Sequence, residues 1–143
     1  MKNKGFSLLE LIVVLAIIAV IGATGFSVYK VWQNKNTLIN GRMFLVSALH
    51  EAKTMAMTGS NDSDWGVKKI SGKIVVFSGD SYNSRDVNKD KNFDLPNNVV
   101  ISGLDEYIFK KITGLPLISL NITVSYGGEN VQINISSQGV FGD

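Results

Sequence analysis

The apolar residues of this 143-residue chain are concentrated in one uninterrupted segment near its start. Every residue from Leu11 to Ile21 is apolar, and no charged residue occurs between Glu10 and Lys30. As a helix, the 24 residues from position 6 to position 29 extend over about 36 Å, which is long enough to cross a bilayer. The pattern predicts a membrane-spanning helix over residues 6–29.

A helical repeat continues beyond this apolar segment. Apolar residues recur at steps of seven, four, three and four positions, which places them on one face of an α-helix. They are Leu38, Leu45, Leu49, Ala52 and Ala56. The helix is predicted to begin near Ser7 and to end near Thr58, with Gly59 as its C-terminal stop.

After Ser60 the pattern changes to short segments that are typical of β-strands. The predicted strands are 67–70, 73–77, 99–102, 107–111, 119–126, 130–136 and a last short one through Val140 and Phe141. Ser71-Gly72 and Gly127-Gly128 separate two pairs of these segments, as the turns of β-hairpins do. The sequence therefore predicts an α+β fold. A long N-terminal helix, transmembrane and then amphipathic, packs on a small antiparallel β-sheet.

The composition excludes several classes of protein. With 45% hydrophobic residues and a net charge of only +2, the chain is not a disordered one. The absence of cysteine excludes a disulfide framework and a cysteine-ligated metal site. The small positive charge does not by itself indicate nucleic-acid binding. It comes from Lys2 and Lys4, because without residues 1–5 the chain has 12 basic and 12 acidic residues.

Three interpretations of the N-terminal segment differ in what happens to it. The first is a cleaved signal peptide, with Lys2 and Lys4 as its charged region and residues 23–25 as the cleavage site. The second is a signal anchor that stays uncut in the membrane. The third depends on Glu10, because a carboxylate inside a membrane helix costs roughly 2.5–3.5 kcal/mol and is usually retained for a partner.

The residues at the front support the third interpretation. A short basic leader ends in glycine, phenylalanine follows, and a glutamate comes four residues later, in Lys4-Gly5-Phe6-Ser7-Leu8-Leu9-Glu10-Leu11. This pattern resembles the class III signal of type IV pilins and type II secretion pseudopilins. The resemblance implies that a prepilin peptidase cleaves after Gly5 on the cytoplasmic side and N-methylates the new terminus at Phe6.

The same resemblance implies the domains, the location and the partners. Residues 1–5 are the leader, 6–29 the helix that passes from the inner membrane into a filament core, and 30–143 a pilin-like domain outside the cytoplasm. The partners are the prepilin peptidase, other pilins or pseudopilins, the inner-membrane assembly platform and lipid. Glu10 of one subunit can neutralise the Phe6 amine of a neighbour, which favours correct register during assembly.

The layout of the chain is also similar to a subgroup. The stretch 44–59, followed by 65–67 and 75–78, resembles the H-type minor pseudopilins and their FimT-like pilus relatives. The chain lacks the paired cysteines of many major type IVa pilins, which favours a minor subunit or a pseudopilin. Three assembly machines remain as alternatives: a type II secretion system, a type IV pilus and a DNA-uptake pilus. An ordinary signal-anchored exported protein is a further alternative.

One set of residues outside the helix has the spacing of a calcium loop. Oxygen-bearing side chains occur at every second position, at Asp86, Asn88, Asp90, Asn92 and Asp94. Calcium takes about 6–8 oxygen ligands, but Lys89 and Lys91 oppose cation binding. A solvated turn rich in Asp and Asn is the alternative and is favoured, so no cofactor is predicted apart from this calcium hypothesis.

Two lysine groups are candidates for contact with DNA phosphates, because FimT-like relatives include DNA-uptake receptors. They are Lys68, Lys69 and Lys73, and Lys110 with Lys111. Interspersed acidic residues leave no continuous basic stripe, which disfavours nucleic acid. No enzyme activity is predicted, because His50 is the only histidine and has no carboxylate at helical spacing.

The mass of the membrane-extracted protein tests the processing hypothesis. We expect it to lack residues 1–5 and to carry one added methyl group, because the class III signal is cleaved before Phe6. Intact-mass spectrometry measures both changes. A terminus at Phe26 would instead identify an ordinary signal peptide, and a full-length chain would identify an uncut anchor.

Overall fold

The computed structural model describes residue 5 and residues 7–142, except the side chains of Thr24, Gly25 and Ser27. The predictions made for Lys2, Lys4 and Phe6 therefore lie outside the described residues. The chain divides into two compact units, Met1–Asn34 and Lys35–Asp143.

One long helix, α1, covers Leu8–Met57 and has 50 residues. Its end confirms the predicted stop: the N–H of Gly59 donates to the carbonyl of Ala56 at 3.1 Å, and Gly59 has φ of 64°. Glycine adopts this left-handed conformation without the steric cost that a Cβ would add. By length and composition, α1 is able to cross a membrane.

The second unit contains eight described strands, all paired antiparallel. The strands are β1 (Trp65–Ile70), β2 (Lys73–Ser78), β3 (Lys91–Asp94), β4 (Val100–Ser102), β5 (Glu106–Phe109), β6 (Leu120–Tyr126), β7 (Glu129–Ile135) and β8 (Phe141–Gly142). Short 3₁₀ helices cover Ser60–Asp62 and Val87–Lys89. The strands form two four-stranded sheets, with the orders β3-β2-β1-β5 and β4-β6-β7-β8.

The predicted apolar face of α1 forms the centre of the core. All five of its predicted positions are buried, and Ala48 is buried with them. One cluster joins this face to both sheets, through residues such as Val67 and Tyr107 of the first sheet and Ile122 and Ile133 of the second. The α+β fold predicted from the sequence is confirmed.

The first sheet is covered on both faces. Val75, Phe77 and Ile108 are buried on the face opposite the helix core. Residues 79–90 lie against this face, where the Tyr82 ring meets the Phe77 ring edge-to-face with centroids 5.5 Å apart. The guanidinium of Arg85 lies 3.6 Å from the centroid of the Tyr82 ring. We call residues 79–90 the strap.

The structure differs from the sequence prediction in two respects. The strands form two sheets, because β5 returns to pair with β1 while β4 pairs with β6. The strand β3 was not predicted. Its Asn and Asp side chains have low β-propensity, and only Phe93 of β3 packs against the core. Pairing with the edge of β2 therefore decides its conformation, and this long-range contact is not visible in the local pattern.

Replacement of Gly66 by alanine tests the packing between the first sheet and the strap. A Cβ at Gly66 would lie 2.4 Å from Cζ of Phe77 and 2.6 Å from Cδ1 of Ile108. We expect Gly66→Ala to lower the free energy of unfolding by about 1–3 kcal/mol, because the buried side chains must shift. Denaturant titration in detergent measures this loss.

The matched control is Ser71→Ala, in the exposed turn between β1 and β2. It should change stability by less than about 0.5 kcal/mol. A Gly66→Ala protein as stable as this control would show that the space at Gly66 is not required.

Candidate functional site

The first turn of α1 places a carboxylate at the start of an apolar helix. The helix begins at Leu8, and the N–H of Leu11 donates to the carbonyl of Ser7 at 3.1 Å. Glu10 lies in this first turn. A negative charge is favourable there, because unpaired N–H groups give the helix start a partial positive charge.

Gly5 precedes the helix and is exposed. A Cβ added to it would have no neighbour within 4 Å. Packing within the described chain therefore gives no reason for glycine at this position.

The apolar surface of the helix is not covered by the rest of the described chain. Every residue from Leu8 to Ala23 is exposed, including Ile18 at 60% and Leu15 at 57%. Because these residues are apolar on all sides of the helix, they require lipid or neighbouring helices around them. Glu10 is exposed within this surface, so a cation from another chain can reach its carboxylate.

Three aromatic side chains lie at the C-terminal end of the apolar segment, where no functional residue was predicted. Phe26, Tyr29 and Trp32 recur at every third position and are all exposed. The rings of Tyr29 and Trp32 have centroids 6.5 Å apart, and Nζ of Lys30 lies 4.8 Å from the centroid of the Phe26 ring. Their spacing directly after the apolar run was the signal that could have identified them.

The lysines of the first hairpin have partners within the chain. Nζ of Lys68 lies 3.4 Å from Oε2 of Glu106, and Nζ of Lys69 donates to the carbonyl of Ile101 at 2.6 Å. Lys73 lies opposite Asp94 in the pairing of β2 with β3. Phosphates of DNA would have to compete with these groups for Lys68 and Lys69.

Lys110 and Lys111 are also paired with acidic residues. Asp64 accepts hydrogen bonds from Nζ of Lys110 at 2.6 Å and from the backbone N–H of Lys111 at 2.8 Å. Nζ of Lys111 lies 2.8 Å from Oδ1 of Asp62. These lysines adjoin the Trp65 end of β1, whereas the hairpin lysines lie toward its other end. The structure therefore does not bring the two lysine groups together.

The five residues predicted as calcium ligands lie in different local structures. They are Asp86, Asn88, Asp90, Asn92 and Asp94. The carboxylate of Asp86 caps the second 3₁₀ helix by accepting the N–H of Asn88 at 3.0 Å. Asp90 accepts from Nε of Arg85 at 2.9 Å, and the last two residues belong to β3.

In residue 5 and residues 7–142, no group of three or more His, Cys, Asp or Glu side chains is arranged to hold a metal ion. The contacts of Asp86 and Asp90 show that both carboxylates already stabilise the strap. Calcium binding by this segment stays a prediction.

A cavity lies between α1 and the edge strand β8. Its volume is about 260 Å³, and it is lined by Arg42, Val46, His50, Ile133, Phe141 and Gly142. The rings of His50 and Phe141 have centroids 4.4 Å apart. These lining residues include an imidazole and a guanidinium but no carboxylate or hydroxyl group.

A helix able to cross a membrane, followed by antiparallel sheets, defines a pilin-like α+β architecture. Residues 1–26 match the family model described as the prokaryotic N-terminal methylation motif. The match confirms the resemblance to the type IV pilin and pseudopilin family, and it resolves no subgroup. The signal implies processing by prepilin peptidase and assembly with other pilins. No curated protein and no solved structure gives a significant match to the chain.

The contacts of Asp64 predict a pH dependence of stability. Burial raises the pKa of Asp64, but the hydrogen bonds from Lys110 and Lys111, together with their positive charges, lower it below its ordinary value of 3.8. The ionised carboxylate therefore stabilises the folded state fully above about pH 4. This stabilisation is lost as the pH falls through the lower pKa of the folded state.

We expect Asp64→Asn to lower the free energy of unfolding by about 1 kcal/mol at pH 7. The difference from the wild type should shrink below pH 4, because the wild-type carboxyl is then protonated. Thermal unfolding at a series of pH values measures both effects. A difference that stays constant down to pH 2 would contradict a role for the ionised carboxylate.

Proposed function

We propose that this protein is a minor pilin or pseudopilin subunit of a type II secretion pseudopilus or a type IV pilus. The observation that carries the proposal is a methylation motif over residues 1–26 on a helix whose apolar surface is exposed on all sides. Such a helix is suited to lipid before assembly and to neighbouring helices afterwards. The resemblance of residues 44–59 to the H-type and FimT-like subgroup supports a minor subunit.

The proposed sequence of events begins in the cytoplasmic membrane. Prepilin peptidase hydrolyses the peptide bond between Gly5 and Phe6, which releases residues 1–5 and leaves a free amine on Phe6. The enzyme then transfers a methyl group from a sulfonium methyl donor to this amine, which gives up one proton while the donor leaves as a thioether. The resulting secondary amine is protonated at neutral pH and therefore keeps its positive charge. The globular unit lies outside the cytoplasm, and the assembly platform transfers the helix from lipid into the filament.

Glu10 is proposed to control the register of the incoming subunit. A carboxylate is costly in lipid and in a filament core unless a cation lies beside it. The methylated amine of a neighbouring Phe6 is such a cation, and it is available at one register only. A misplaced subunit leaves both charges unpaired, so the pair selects the correct position.

A DNA-uptake pilus is the alternative assignment. Four of the five candidate lysines, Lys68, Lys69, Lys110 and Lys111, contact carboxylates or a carbonyl group. These contacts supply no specific observation in favour of DNA binding. We therefore retain the secretion and pilus assignments as the proposal.

Replacement of Glu10 tests the assembly step. We expect Glu10→Ala to be cleaved and methylated normally but to enter filaments at least about tenfold less, because the neighbour's buried amine is left unpaired. Intact mass reports processing, and quantification in the sheared-filament fraction reports incorporation.

The matched control is Glu129→Gln, which removes an exposed carboxylate at the turn between β6 and β7. It should assemble like the wild type. Normal incorporation of Glu10→Ala would overturn the proposed role of the carboxylate, whatever the processing result.

A further inference from the structure

We propose that Phe26, Tyr29, Lys30 and Trp32 form a collar that binds anionic phospholipid headgroups at the outer surface of the membrane. This inference rests on the membrane-embedded stage of the proposed function. It goes further by assigning the lipid interface to particular side chains and by naming the headgroup chemistry that they recognise.

The position of the collar agrees with the thickness of a bilayer. Residues 11–29 lie between the charges of Glu10 and Lys30, and as a helix they extend over about 28 Å. The hydrocarbon core of a typical bilayer is about 30 Å thick. When Glu10 lies near one boundary of this core, Lys30 and the adjacent aromatic rings reach the other.

The side chains of the collar have the chemistry of an interface. Tyr29 and Trp32 are 56% and 62% exposed, and each combines an apolar ring with a hydrogen-bond donor. Such rings are enriched where hydrocarbon meets headgroups. Nζ of Lys30 lies 4.8 Å from the centroid of the Phe26 ring. This cation–π contact places the ammonium beside the ring, and its N–H donors can still bind a phosphate oxygen.

The charge pattern favours anionic lipid over a second copy of this chain. No acidic residue occurs between Glu10 and Glu51, so Lys30 has no carboxylate near it along the helix. A parallel copy at the same height would bring an identical lysine and equally no acid. An anionic headgroup supplies the missing negative charge, because its phosphate attracts the Lys30 ammonium.

Fluorescence of the full-length chain in phospholipid vesicles tests the depth of the collar. The protein has two tryptophans, and Trp65→Phe leaves Trp32 as the single reporter. We expect lipids brominated near the headgroup to quench Trp32 more strongly than lipids brominated near the chain end. Trp65 is buried, and its Nε1–H donates a hydrogen bond to the Ser60 carbonyl, so Trp65→Phe can fail to fold. In that case the signal of Trp32 is obtained by subtracting the fluorescence of a Trp32→Phe protein from that of the wild type.

Energy transfer tests the headgroup preference. Transfer from Trp32 to dansyl-labelled phosphatidylglycerol should exceed transfer to dansyl-labelled phosphatidylcholine, because the Lys30 ammonium attracts the anionic lipid. Lys30→Gln should reduce the difference. The matched control Lys89→Gln, on an exposed residue of the second 3₁₀ helix, should preserve it.

Each outcome bears on a different step. Stronger quenching by the deep bromines, or equal transfer to both lipids, would overturn the collar and leave the pilin assignment intact. Trp32 quenched only by water-soluble acrylamide would overturn the collar and the membrane-embedded stage together. Failure of filament incorporation with the expected quenching would overturn the proposed function and leave the collar.

Discussion

The apolar surface of α1 must be removed from water, and the two units of the chain meet this requirement differently. In Lys35–Asp143 the sheets bury the helix face completely, and Leu45 and Leu49 have no exposed surface. In Met1–Asn34 the described apolar side chains remain exposed. Removing apolar surface from water is favourable by about 25 cal/mol per Å². Lipid or other chains must therefore supply the burial that the described chain does not.

Within this surface, specificity depends on a few polar groups. Apolar contacts are non-directional, so a smooth apolar helix has many similar positions in lipid or among other helices. A carboxylate at Glu10 distinguishes these positions because an unpaired charge is costly in low dielectric. In the proposed function, Glu10 selects the filament register, while Lys30 and Trp32 select the depth in the membrane. The two ends of the apolar helical segment thus have separate roles.

The globular unit shows where local patterns suffice and where they fail. The amphipathic face of α1 and the hairpin β6–β7 follow from periodicity and from Gly127-Gly128, and both were predicted from the sequence. The strap and β3 were not. Their polar residues resembled a calcium loop, yet Arg85 is held by Tyr82 and Asp90. Contacts with the strands add to these local ones: the N–H of Tyr82 donates to Oε1 of Glu106 in β5 at 3.0 Å, and the Tyr82 ring packs on Phe77 of β2.

The sequence by itself determined the N-terminal signal, the length of the apolar helix and the position of Glu10, because these features depend on order and spacing along one helix. The tertiary structure alone decided the division into two sheets, the pairing of Lys68, Lys110 and Lys111 with acidic residues, and the partners of Asp86 and Asp90. These outcomes depend on which strands meet. A lysine is written the same way in the sequence whether its ammonium lies in solvent or beside a carboxylate such as Asp64. Only the fold brings the lysine and the carboxylate together.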